Sequence, residues 1–140
     1  MKKLFSILLL FCFIFLTVNV SEAVNSYDKY SRKTGSYRET STGFNSYDKY
    51  GSKSASYKKT SSGYNKYDRN GSKVGSYRKT SFGYNEYDKY GRKTGSYKTN
   101  SNGVTTKYDQ HGRKSGSFKK DSSGRITEYD KYGRKVGSYR

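Results

Sequence analysis

Few side chains in this chain could do acid–base or nucleophilic chemistry, and none of them is grouped. Its 140 residues include one His, His111, and one Cys, Cys12. His111 sits in Asp109-Gln110-His111-Gly112, at the place held by Tyr90 or Asn70 in similar stretches, so it reads as a turn substitution and not a proton shuttle. One His and one lone Cys cannot supply a nucleophile, its base and a group to orient them, so no enzyme is expected. The aspartates at 28, 48, 68, 88, 109 and 130 recur at near-constant spacing and raise the question of calcium. Calcium takes about six to eight oxygen ligands, usually from several carboxylates. Each of these stretches offers one carboxylate among Lys and Arg, which suits turn capping; no metal or cofactor is expected.

Positive charge is the chemistry the sequence does carry. Lys and Arg number 29 against 11 Asp and Glu, a net +18. Such an excess predicts attraction to anionic partners: lipopolysaccharide, anionic lipid, acidic glycan or extracellular nucleic acid. The 17 Tyr are interleaved with these cations and offer rings on which bases or sugars could stack.

The elements that position these residues are repeats. Units begin at Tyr27, Tyr47, Tyr67, Tyr87, Tyr108 and Tyr129, and a second aromatic follows ten residues into each: Tyr37, Tyr57, Tyr77, Tyr97, Phe118 and Tyr139. A fixed period of about 20 residues marks an array whose units bury their apolar faces on one another. Each unit has two turn signals. One is Asp-x-x-Gly, as in Asp88 to Gly91, with Ser31 replacing the glycine in the first copy. The other runs from Thr40 to Gly43, Thr60 to Gly63, Thr80 to Gly83, Asn100 to Gly103 and Asp121 to Gly124. A short polar residue at the first place and Gly at the fourth favour a type I turn. The segments between turns are too short for independent helices and rich in Tyr, Thr and Ser. The expected fold is all-β: a meander of antiparallel hairpins forming an open or coiled sheet. One extra residue in 104–107 and again in 125–128 predicts a bulge or a longer loop.

Alternation then assigns faces. Tyr37, Tyr57, Tyr77, Tyr97, Phe118 and Tyr139 form a ladder on one face, beside small residues such as Gly35 and Gly95 that leave room for a ring. Lys33 and Lys93 fall on that same face. Arg38, Lys58, Arg78, Lys98, Lys119 and Arg140 form a basic ladder on the other, with Arg92, Arg113 and Arg134 nearby. The basic ladder is the candidate polyanion contact of an exported structural, adhesive or surface-binding protein. The tyrosine ladder is the candidate stacking surface of the alternative, a carbohydrate-binding module. An open array also leaves edge strands at both ends, so self-association is expected.

Residues 1–23 have the three parts of an export signal. Lys2 and Lys3 precede an apolar run from Leu4 to Val18, and Ser21-Glu22-Ala23 supplies small residues for cleavage after Ala23. The remaining chain, 24–140, is expected outside the cytoplasm, secreted, periplasmic or at the cell surface. It has lost all five Leu and keeps a net charge of +17, so aromatic rings must stand in for an aliphatic core.

The stretches Gly83-Tyr84-Asn85-Glu86-Tyr87-Asp88-Lys89-Tyr90-Gly91-Arg92 and Gly124-Arg125-Ile126-Thr127-Glu128-Tyr129-Asp130-Lys131-Tyr132-Gly133-Arg134 resemble the tyrosine–aspartate (YD) repeats of bacterial Rhs-type proteins and animal teneurins. The resemblance covers residues 27–140 and implies β-hairpins that spiral into a sheet or shell, with no enzymatic role. In that family an aliphatic residue usually follows Gly-Arg. Here the position is Lys33, Lys53, Lys73, Lys93, Lys114 and Lys135.

Overall fold

The computed structural model describes residues 23–140; apart from Ala23, the expected export segment lies outside them. The described residues form twelve β-strands and no helix. Short strands alternate with longer ones. The first repeats give β1 (Val24–Asp28), β2 (Lys33–Thr40), β3 (Gly43–Asp48) and β4 (Lys53–Thr60). The middle ones give β5 (Gly63–Asp68), β6 (Lys73–Thr80), β7 (Gly83–Asp88) and β8 (Lys93–Thr99). The chain ends with β9 (Val104–Asp109), β10 (Lys114–Lys120), β11 (Ile126–Asp130) and β12 (Lys135–Tyr139). Each strand pairs antiparallel with its sequence neighbours, as the hairpin reading expects.

The sheet is neither open nor an unclosed coil. β12 pairs with β1 and completes a barrel. The closing seam uses the register of an internal one: Gly137, Ser138 and Tyr139 face Asp28, Tyr27 and Ser26, just as Gly35, Ser36 and Tyr37 face Asp48, Tyr47 and Ser46. The last strand therefore meets the first as it would meet one more repeat. Closure removes the edge strands on which self-association was expected to rest.

Hairpin turns sit at the two ends of the barrel. At one end, Asp28 Oδ1 accepts the backbone N–H groups of Tyr30 and Arg32 at 2.9 and 3.0 Å, and the copies at Asp48, Asp68, Asp88, Asp109 and Asp130 repeat this cap. The fourth turn position needs a left-handed backbone, with Gly91 at φ 82° and Ser31 at φ 63°. At the other end the first three turns differ from expectation. Thr40 pairs directly with Gly43, so only two residues turn the chain, and Gly43 has φ 152° instead of the left-handed conformation of Gly91. The inserted residue in the repeats that begin at Tyr87 and Tyr108 restores the longer turn. Asn100 Oδ1 then accepts from Asn102 and Val104, and Asp121 Oδ1 from Ser123 and Arg125.

One further irregularity recurs in every repeat. Ser26 pairs with Gly35 but Tyr27 pairs with Lys33, so Thr34 is an extra, bulged residue; Ser54, Val74, Thr94, Ser115 and Val136 occupy the same place. The bulge reverses the alternation before it. Lys33 and Lys93 lie on the outer side with Tyr27 and Tyr87, not beside Tyr37 and Tyr97. Thr34 Oγ1 meets inward-facing Ser26 Oγ at 2.9 Å instead.

The core is the barrel interior. Tyr37, Tyr57, Tyr77, Tyr97, Phe118 and Tyr139 from the long strands are buried there with Val24, Phe44, Tyr84 and Ile126 from the short ones. Phe44 stacks on Tyr57 with centroids 4.4 Å apart and meets Tyr64 edge-on at 5.7 Å. About eight strands make an interior that side chains just fill, so twelve require large rings and still leave space. The outward positions carry Asn45, Asn65, Arg38 and Lys58 between tyrosines, which is a polar exterior.

Candidate functional site

The two predicted ladders fall on opposite sides of the barrel wall. The basic ladder is outside: Arg38, Lys58, Arg78, Lys98, Lys119 and Arg140 are all exposed. Because the sheet closes, they run around the barrel as a belt instead of lining one flat face. Most pack on the tyrosine of the neighbouring Tyr-Asp strand. Arg38 lies 5.5 Å from the Tyr47 centroid, Lys58 5.2 Å from Tyr67, Arg78 4.9 Å from Tyr87, Lys98 5.6 Å from Tyr108 and Arg140 4.6 Å from Tyr27. A cation over a ring is held by the ring's quadrupole with one side still in water.

Arg92, Arg113 and Arg134 stand apart from this belt, at the Asp-turn end. Each donates Nε–H to the Oδ2 of Asp88, Asp109 or Asp130 at 2.7–2.8 Å while its side chain stays about three-quarters exposed. Arg92 and Arg134 also lie 5.1 and 5.2 Å from the rings of Tyr90 and Tyr132, which are 70% and 71% exposed. The aspartates are thus occupied by backbone N–H groups and a guanidinium. The backbone N–H groups of Arg32, Arg113 and Arg134 are the main reason that Asp28, Asp109 and Asp130 ionise below the usual carboxylate range. His111 is exposed in its turn, with its backbone N–H on Asp109.

The stacking ladder is inside. Tyr97 is 1% exposed and the other five rungs are also buried, so none presents a ring face on the outer surface. The small residues beside it serve a purpose other than seating a ring. A Cβ on Gly35, Gly75, Gly95, Gly116 or Gly137 would meet the backbone carbonyl of a Tyr-Asp tyrosine on the next strand.

Sequence reasoning passed over the inner row just before each Tyr-Asp pair: Ser26, Ser46, Lys66, Glu86, Lys107 and Glu128. They face inward opposite the second aromatic of the neighbouring strand, or Tyr139 across the seam. Lys66 Nζ lies 5.9 Å from the Tyr57 ring centroid and Lys107 Nζ 5.6 Å from that of Tyr97. The glutamates reach over the glycine of the next strand to a hydroxyl. Tyr139 Oη donates to Glu128 Oε2 at 2.7 Å, and Tyr97 likewise hydrogen-bonds Glu86. Glu86 Oε2 and Glu128 Oε2 lie 3.6 and 3.5 Å from where a Cβ on Gly95 or Gly137 would stand.

Burial governs the electrostatics of this row. It raises the pKa of Glu86, against the pull of Lys107 and Lys66, and lowers that of Lys66, against the pull of Glu86. It also pushes the Tyr57, Tyr77 and Tyr97 phenols far above their usual range, with Glu86 adding to the effect, so all three stay protonated. The signal for this row was present in the sequence as charges of alternating sign, Lys66, Glu86, Lys107 and Glu128, at repeat spacing.

The chain matches no protein-family model, no curated protein and no solved structure. Its own geometry therefore carries the functional argument. That geometry offers two places: the cationic belt outside, and a cavity of ≈ 620 Å³ beside the inner charged row.

Proposed function

We propose that this chain is an exported, non-enzymatic repeat protein of the tyrosine–aspartate type that binds an anionic polymer through its outer belt. The observation that supports this reading most is the pairing of belt cations with ring faces, as for Arg78 on Tyr87 at 4.9 Å. The two inner lysines are offset by the two inner glutamates, so the net positive charge belongs to the outside. A belt suits a partner that can follow a curved wall. A flat membrane touches one arc of it, whereas an acidic glycan or a nucleic acid strand can track several repeats and bring phosphates or sulfates to successive cations.

Affinity for heparin and for a single-stranded oligonucleotide, measured from low to high salt, tests the reading. Binding should be tight at low ionic strength and fall linearly on a log–log plot against salt. Replacing Arg38, Lys58 and Arg78 together by Gln should flatten that slope. Elution of the parent chain from a heparin column near the loading salt would sink the proposal.

A further inference from the structure

The lumen at the Asp-turn end contains a cavity of ≈ 620 Å³. That lies within the ~300–1,000 Å³ typical of small-ligand sites. Lys66, Glu86, Lys107 and Glu128 line it from four successive short strands, and Tyr77 and Phe118 line it from long ones. Asp88, Asp109 and Asp130 also line it, but each is taken up by its turn N–H groups and by Arg92, Arg113 or Arg134. The remaining charged side chains are two ammonium groups and two carboxylates, which gives donors and acceptors with no net charge among them.

Tyr77 adds an independent observation. It is 2% exposed and lines the cavity, yet its hydroxyl makes no hydrogen bond of good geometry; Glu86 acts on it through its charge and a hydrogen-bonding contact short of that geometry. A buried hydroxyl left unpaired is costly to the fold, and a ligand that pairs with it recovers that cost on binding.

We propose that this lumen is a binding site for a small, neutral, polyhydroxylated ligand of mono- or disaccharide size. A sugar hydroxyl both donates and accepts, so it can bridge a carboxylate and an ammonium that are neighbours in the row without disturbing their charge balance. The C–H face of a pyranose also suits the Phe118 ring. An anion gains from the lysines but meets the two glutamates, and a cation meets the reverse. The site is separated from the outer belt by the barrel wall, so it stands or falls independently of polymer binding.

Calorimetric titration of the purified chain with glucose, N-acetylglucosamine and maltose tests this, with glucuronate and glycylglycine as charged comparators. At least one neutral sugar should bind saturably, at millimolar affinity or better. Tyr77→Phe should weaken that binding about three- to tenfold, the effect of one hydrogen bond, without lowering the thermal midpoint of the free protein. Thr94→Trp, an exposed position at the mouth of the cavity, should abolish it while the circular dichroism stays unchanged. The absence of saturable heat with all three sugars, as from a lumen that holds only water, overturns the proposal. So does tighter binding of glucuronate or glycylglycine, or binding that survives both substitutions.

Discussion

Asn25 and Arg140 exchange two backbone hydrogen bonds, Asn25 N–H to the Arg140 carbonyl at 2.7 Å and Arg140 N–H to the Asn25 carbonyl at 3.0 Å. They join residues near the two ends of the described chain and extend the seam between β1 and β12. Every other seam is a hairpin or a link between consecutive repeats, already held close by the chain. This one alone has no short connection, so it depends on the last strand being present.

Deleting residues 135–140 should therefore leave β1 and β11 with unpaired edges and a lumen open along one side. The shortened protein is expected to dimerise or aggregate, because exposed strand edges recruit one another. Light scattering after size exclusion, compared with the parent, reads this directly. A shortened chain that stays monomeric and melts at the parent temperature would show that the seam contributes nothing.

The inner tyrosines should respond to substitution according to their hydroxyl partners. Tyr97→Ala removes a fully buried ring and should cost about 3–5 kcal/mol. Tyr97→Phe keeps the ring but takes a donor from the buried Glu86 carboxylate, at about 1–3 kcal/mol. Tyr57→Phe removes a buried hydroxyl that bonds nothing, and should be neutral or stabilising by up to about 1 kcal/mol. Urea titrations of the three variants give the order, and a large loss for Tyr57→Phe would contradict the packing described here.

The contrast between Tyr97 and Tyr57 marks how far the sequence could be read. Period, turn residues and alternation announce the hairpins and the two ladders on opposite faces, because each depends on neighbours along the chain. That the ring ladder, offered as a stacking surface, is the buried one follows only from closure. Closure does not, since it reflects twist accumulated over twelve strands and the fit of Tyr139 to Ser26. The inner row was hidden for another reason. A Lys or Glu between polar neighbours reads as solvated, and only the barrel turns Lys66 and Glu86 inward. The bulge at Thr34 and Thr94 was equally silent, as a single extra residue reverses faces without changing composition.

Ser31 is the only non-glycine among the described residues with a positive φ, 63°, where the other copies of its turn have Gly. A side chain in this conformation costs roughly 1–2 kcal/mol, partly offset by the greater unfolded freedom of glycine. Ser31→Gly should thus stabilise the barrel by about 0.5–1 kcal/mol, and Gly91→Ala, at φ 82°, should destabilise it by a similar amount. Gly83→Ala should be worse than either, since at φ 154° its Cβ would also run into the Tyr97 carbonyl. Thermal midpoints of the three variants check the order; a lower midpoint for Ser31→Gly would refute it.

Acid should act on the turns and on the lumen in opposite senses. Asp28, Asp109 and Asp130 ionise below the usual carboxylate range in the folded barrel, chiefly because backbone N–H groups favour the charged form. Their contribution is complete above the unfolded value near about pH 4 and is lost as pH falls through the lower folded value. Burial raises the pKa of Glu86, so its contribution is complete below the unfolded value and lost as pH rises through the folded one. Urea midpoints should therefore vary little or rise slightly as pH drops from 7 toward 5, then fall steeply below about pH 4. Asn100 already caps one turn with a neutral amide, accepting from Asn102 and Val104 at 3.1 and 3.0 Å. Asp109→Asn and Asp130→Asn should accordingly keep their turns at pH 7 and make the acid fall shallower, whereas Glu86→Gln should leave that fall intact. An acid limb unchanged by the double Asn variant would mean that the turn carboxylates do not set it.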